Sequence, residues 1–135
     1  MCRSEIKHLL ELRKMVEVPC AGLAASRRTE KNMEELEAII ACFDSDKDFS
    51  IKELLHLDLQ FHLAIADCTQ NPLTKTLINA ITRSYLKEDL KLWNDKNKKE
   101  ITAFAEKIVE SIKLNDSDSA MEAMEKHLNG FLLIS

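Results

Sequence analysis

Asp58 and His62 lie four residues apart, on the helical face that also carries Leu54, Phe61 and Ile65. An acid and an imidazole on an apolar stripe are costly to bury unless something meets them. His127 lies between Met124 and Phe131 on the stripe of the last helical segment, and Arg13 lies between Leu9–Leu10 and Cys20 on the first. A carboxylate and two imidazoles converging from different helices suit a borderline divalent ion such as zinc, nickel or manganese. An arginine beside them offers a planar fork to a carboxylate ligand. Ordinary roles fit the same residues. An Asp–His pair at this spacing makes a local hydrogen bond, a histidine near a helix C-terminus favours the dipole, and Arg13 can pair with Glu17 one turn on. His8 and His56 fall off the main stripes and are expected at the surface. The methionines read as core filler.

Six helices are needed to position these groups. The first is expected over about residues 5–26, with Ser4 as N-cap and an apolar stripe through Ile6, Leu9, Leu10, Val16, Cys20, Leu23 and Ala24. Pro19 lies inside it and should kink it or start a new helix. The second follows Thr29, carries Met33, Leu36, Ile39, Ile40 and Phe43, and ends in DSDKD. Ser50 and Glu53 fit a capping box for the third, which runs to about Asp67. Asn71-Pro72 breaks the chain, and Pro72 suits the first position of the fourth. That helix bears Leu73, Leu77, Ile78, Ile81 and Tyr85, extending toward Trp93. The stretch NDKNKKE is a linker or the start of the fifth, whose stripe is Ile101, Phe104, Ala105, Ile108, Val109 and Ile112. Asn115 suits a C-cap and Asp116 the next N-cap, before a sixth helix with Ala120, Met121, Met124, His127, Leu128 and Phe131.

Bulk properties agree with an all-α antiparallel bundle of six or seven helices. The chain has 135 residues, the size of one domain. Only two glycines and two prolines occur, too few for a sheet protein rich in turns. The net charge is −4, and the basic clusters Arg27-Arg28 and KNKK are short, so this segment should bind DNA poorly. Cysteines 2, 20, 42 and 68 have no zinc-ribbon or CxxC spacing. No signal peptide or membrane span is visible, so reduced thiols in a cytoplasmic protein are expected.

Three runs carry a family pattern. ELRKMVEVPCAGLAASRRT at 11–29 resembles the opening helix of the FCD domain, the ligand-sensing half of FadR-type regulators in the GntR family. LDLQFHLAIADCTQNPL at 57–73 looks like its central Asp-x-x-x-His helix with Asn-Pro, and IVESIKLNDSDSAMEAMEKHL at 108–128 looks like its closing helix pair. The resemblance implies a central pocket where many members bind a divalent ion with a small organic acid on or beside it. Members sensing acyl-CoA work without metal. Family ligands are an Asp, a His four residues later, a His early in the penultimate helix and a His in the last. These map onto Asp58, His62 and His127, with Ala105 at the third position. Three ligands remain, and water or effector would complete the shell. Arg13 matches a first-helix arginine that is often near the effector carboxylate.

The resemblance also implies a homodimer, with the fourth helix, Tyr85 and Trp93 contributing. It implies a winged helix-turn-helix domain before the effector domain. The chain starts at the first effector helix, so an excised single domain over 1–135 is expected, meeting DNA only through the absent domain. The expected function is regulatory and not enzymatic: a small carboxylate enters, shifts helix packing, and changes the spacing of attached DNA-binding domains. Two rivals stand beside it. One is an interaction module with a degenerate, ligand-free pocket. The other is a metal-dependent enzyme using Asp58, His62 and His127, which lacks an evident general base.

Overall fold

Local chemistry marks most helix boundaries before any packing is considered. Thr29 caps one helix through a box with Asn32, and Ser50 caps the next through a box with Glu53. Asn115 adopts a left-handed φ of 56°, its N–H donates to Ile112 O, and the Asp116 N–H donates back to Ser111 O. That is the pattern of a Schellman turn, which satisfies the last carbonyls of a helix. Asp116 then accepts from the Ser119 N–H and starts the following helix. The computed structural model describes residues 3–45, 48–83 and 95–130. Among them are α1 (Arg3–Arg27), α2 (Glu30–Phe43), α3 (Ile51–Cys68), α4 (Pro72–Arg83), α5 (Asp95–Lys113) and α6 (Ser117–Asn129).

The fold is an all-α bundle. α1 and α5 both pack against α6 and touch each other, and α3 lies against α1. α2 and α4 flank α3. The core runs between them through Leu36, Phe61, Ile65, Ile108, Ile112, Met124 and Leu128. α1 turns small residues inward, Ala21, Ala24 and Ala25, so its axis approaches α6 closely. Gly22 belongs to that contact: a Cβ there would stand 2.9 Å from the Met121 sulfur and 3.0 Å from its Cγ. The Ser117 hydroxyl donates to the Gly22 carbonyl at 2.9 Å. A Gly22→Val substitution should therefore overpack the α1–α6 seam and cost about 1–3 kcal/mol in urea denaturation. An unchanged urea midpoint would show that Met121 gives way freely.

Arg27 and Arg28 have work inside the fold. Arg27 Nη1 donates to the Thr69 carbonyl at 3.2 Å, and Arg28 donates to the Ile112 and Lys113 carbonyls at 3.3 and 2.7 Å. Both cations sit at helix C-termini, where unpaired carbonyls and the dipole favour them.

Several expectations need correction. α1 already includes Arg3 and Ser4, so Ser4 is not its N-cap. Pro19 starts no new helix, because α1 runs through it. Leu23 is 39% exposed, and Leu73 and Leu77 of α4 are 74% and 48% exposed, so these stripe positions face outward. Met15 is 67% exposed and fills no core. Of the two readings of NDKNKKE, the start of the fifth helix holds, since α5 begins at Asp95. Tyr85, Trp93, Phe131 and Cys2 lie outside the described residues. The other cysteines are free, and burial pushes the Cys20 and Cys68 thiols up to about 11 and about 12.

Candidate metal and effector site

The Ser50 cap fixes the start of α3, and one helical turn separates Asp58 from His62, so both leave the same face. That face points inward: Asp58 is 4% exposed and His62 1%. His127 comes from the last turn of α6 and is wholly buried. The two imidazoles meet through Nε2, 3.2 Å apart. Asp58 Oδ1 stands 3.4 Å from His62 Nε2 and 3.3 Å from His127 Nε2. Phe61 walls the cluster, with its ring edge-on to both imidazoles at centroid distances of 5.6 and 5.9 Å.

Both rings are oriented from behind. His127 Nδ1 lies 2.9 Å from the Ile101 carbonyl, which can only accept, so Nδ1 carries the hydrogen. His62 Nδ1 is in ion-pair contact with Glu17 Oε1, outside hydrogen-bond geometry, and the carboxylate charge favours a hydrogen on that nitrogen. In the neutral rings both Nε2 lone pairs then face each other and Asp58 Oδ1. This oxygen is buried without a hydrogen-bond donor. Three acceptors in one dry cluster need a positive charge between them, a proton or a metal ion. Ligand atoms about 2.0–2.2 Å from a tetrahedral zinc ion stand about 3.3–3.6 Å from one another. The separations of 3.2, 3.3 and 3.4 Å approach that triangle, so the residues fit a divalent ion.

Without a metal, a proton fills the role. Burial pushes His62 down, but the Glu17 and Asp58 carboxylates outweigh it and raise the ring to about 9. Burial pushes Glu17 up, yet Arg13 and His62 bring it to about 2. Burial also raises Asp58, and the opposing effects, the His62 charge first among them, outweigh it and hold Asp58 well below the carboxylate range. The raised His62 stabilises the fold fully below its ordinary 6.5, and that contribution is lost as pH climbs through about 9. The lowered Glu17 contributes above its ordinary 4.5, and its share is lost as pH falls toward about 2. With chelator present, the melting temperature should therefore peak between about pH 4.5 and 6.5 and fall on both sides. A melting temperature still rising between pH 7 and 9 would contradict this charge arrangement.

The structure brings Asp58, His62 and His127 together, with only the Asp58–His62 pair given by spacing along one helix. Arg13 is 1% exposed and stands one residue removed: its Nε donates to Glu17 Oε2 at 2.7 Å. The Arg13–Glu17 pairing anticipated from spacing is present, but spacing did not reveal that Glu17 also reaches His62. The available signal was that Glu17 shares the inward face of α1 with Arg13. Ala105 is fully buried, one turn beyond Ile101 on α5, and offers no donor atom. His8 and His56 are exposed, as expected.

These features define an all-α domain with an acid and two imidazoles gathered at its centre. The FCD domain family model matches residues 8–130. The HTH-type transcriptional regulator LutR of Bacillus subtilis (strain 168) is 31% identical over 137 aligned residues, covering 95% of this chain and 61% of that protein. A solved Streptococcus agalactiae GntR superposes with a TM-score of 0.82 at 21% identity, over 100% of this chain and 62% of that one, a likeness of fold. The chain belongs to the FCD-domain family of GntR-type regulators. It spans about three-fifths of the length of these two relatives.

Proposed function

We propose that this chain is an effector-sensing domain that holds a divalent ion, zinc, nickel or manganese, with Asp58, His62 and His127, and binds a small organic acid beside it. The observation that carries this reading is the convergence of three buried donor atoms from α3 and α6, with both imidazoles oriented by groups behind them. An ion there supplies a positive centre with open positions for a carboxylate. Ala105, where metal-binding family members carry a histidine, leaves one such position to water or effector. Arg13 is the second cationic group in reach of the same region, and a bidentate carboxylate suits its fork.

The site is built from three helices: α3 gives Asp58 and His62, α6 gives His127, and α1 gives Glu17 and Arg13. A guest that draws on all three biases how they pack, which is the physical requirement for signalling. The chain acts in the cytoplasm as a homodimer and controls DNA binding through an attached helix-turn-helix domain; its Bacillus relative is named an HTH-type transcriptional regulator. Exposed Leu12, Met15 and Leu23 on α1 and Leu73 and Leu77 on the adjoining α4 support self-association. No described helix is long and apolar enough to cross a membrane.

Calorimetric titration of the chelator-treated chain with zinc, nickel and manganese tests this directly. One ion per chain is expected, followed by uptake of at least one member of a panel of small carboxylates and hydroxy acids by the loaded form alone. A chain that takes up no ion and no acid is an interaction module instead.

A further inference from the structure

We propose that Glu17 is the positioning residue of this site: it locks the His62 imidazole with Nε2 facing Asp58 and His127, and it ties that ring to Arg13. The proposal rests on reading Asp58, His62 and His127 as ion ligands, and it concerns a residue on a different helix that is not itself a ligand. Glu17 is 3% exposed on α1, and its two oxygens have separate partners. Oε1 meets His62 Nδ1, and Oε2 accepts from Arg13 Nε at 2.7 Å. A carboxylate against Nδ1 favours, by its charge, a hydrogen on that nitrogen, which leaves the lone pair on Nε2.

The two imidazoles are therefore supported unequally. His127 leans on a neutral carbonyl, that of Ile101, while His62 leans on a charged carboxylate. A carboxylate partner makes an imidazole the more basic donor to a cation, and such outer partners are worth roughly 10- to 100-fold in metal affinity. The same carboxylate also holds Arg13, so the two ends of the proposed binding region are joined through one side chain. An effector carboxylate that takes Arg13 competes with Glu17 Oε2, and the change is felt at the His62 ring on α3. Glu17 thus links α1 to the metal-binding helix by charge as well as by packing.

The test loads the full 135-residue chain with zinc and follows its removal by excess chromophoric chelator, for the wild type and for Glu17→Gln. Removal reads the loaded state only. Glutamine keeps the shape, loses the charge, and can offer its one oxygen to only one of the two donors. Zinc should leave the variant roughly 10- to 100-fold faster. Ring nitrogen NMR of the loaded wild type gives a second readout that needs no variant. His62 should carry its hydrogen on Nδ1 and bind zinc through Nε2, with that hydrogen slower to exchange than in Glu17→Gln. A role in folding alone would not set the tautomer. Equal removal rates overturn the proposal, and so does a His62 ligated through Nδ1, even if the variant fails to fold. A wild type that never takes up zinc defeats the metal reading itself, a separate result seen before any comparison is made.

Discussion

Replacing His127 by alanine is expected to abolish measurable zinc binding and to destabilise the metal-free domain. The imidazole is wholly buried, donates from Nδ1 to the Ile101 carbonyl, and sits 3.3 Å from Asp58 Oδ1 through Nε2. Its loss leaves two donors, both on α3, and a site with two protein ligands holds zinc poorly. Since an outer-shell partner alone is worth roughly 10- to 100-fold, loss of a ligand should exceed about 100-fold. Two costs add to the stability loss. The Ile101 carbonyl loses its donor, and the Asp58 carboxylate loses one of its two imidazole neighbours. Leaving a buried carbonyl without its donor costs about 1–3 kcal/mol. Competition against a chelator of known affinity measures the first effect and urea denaturation the second. Zinc affinity within a few-fold of wild type would place the ion elsewhere and remove the basis for the proposed site.

The second large effect runs in the opposite direction. Ala105→His should tighten zinc binding, on the order of 100-fold or more, by adding a donor at the position where metal-binding family members have one. Ala105 is completely buried among Ile101, Ile108 and their neighbours, so the larger ring also has to be accommodated. Overpacking of that kind costs about 1–3 kcal/mol. A 100-fold gain in affinity corresponds to about 2.7 kcal/mol, so the two terms are comparable in the metal-free and metal-loaded balance. The variant should therefore melt below wild type when stripped and recover with zinc, and its zinc-induced rise in melting temperature should exceed that of wild type. A variant that melts low with and without zinc would mean that residue 105 does not reach the cluster.

Reading one dimension of the chain was enough for whatever depends on near neighbours. The Ser50–Glu53 box, Pro72 at the head of α4 and the Asn115–Asp116 turn were all legible, because each is a contact between residues a few positions apart. Asp58 and His62 were legible as a pair for the same reason, and His127 because it interrupts an apolar stripe. The repeat of three and four residues says which side of a helix is apolar. It does not say whether another helix covers that side. Leu23, Leu73 and Leu77 keep the period yet stay exposed, because no described neighbour covers them.

What the amino-acid order by itself determined is the all-α class, most of the caps and which polar residues interrupt apolar helical faces, since helix formation and helical faces are local properties. Only the tertiary structure decided that the donors meet within 3.4 Å and that α1 stands behind them. The pairs that orient the rings join Glu17 to His62 and Ile101 to His127, on separate helices. No rule of spacing along one helix reaches a partner on another, because that contact exists only once the core has chosen how the helices lie.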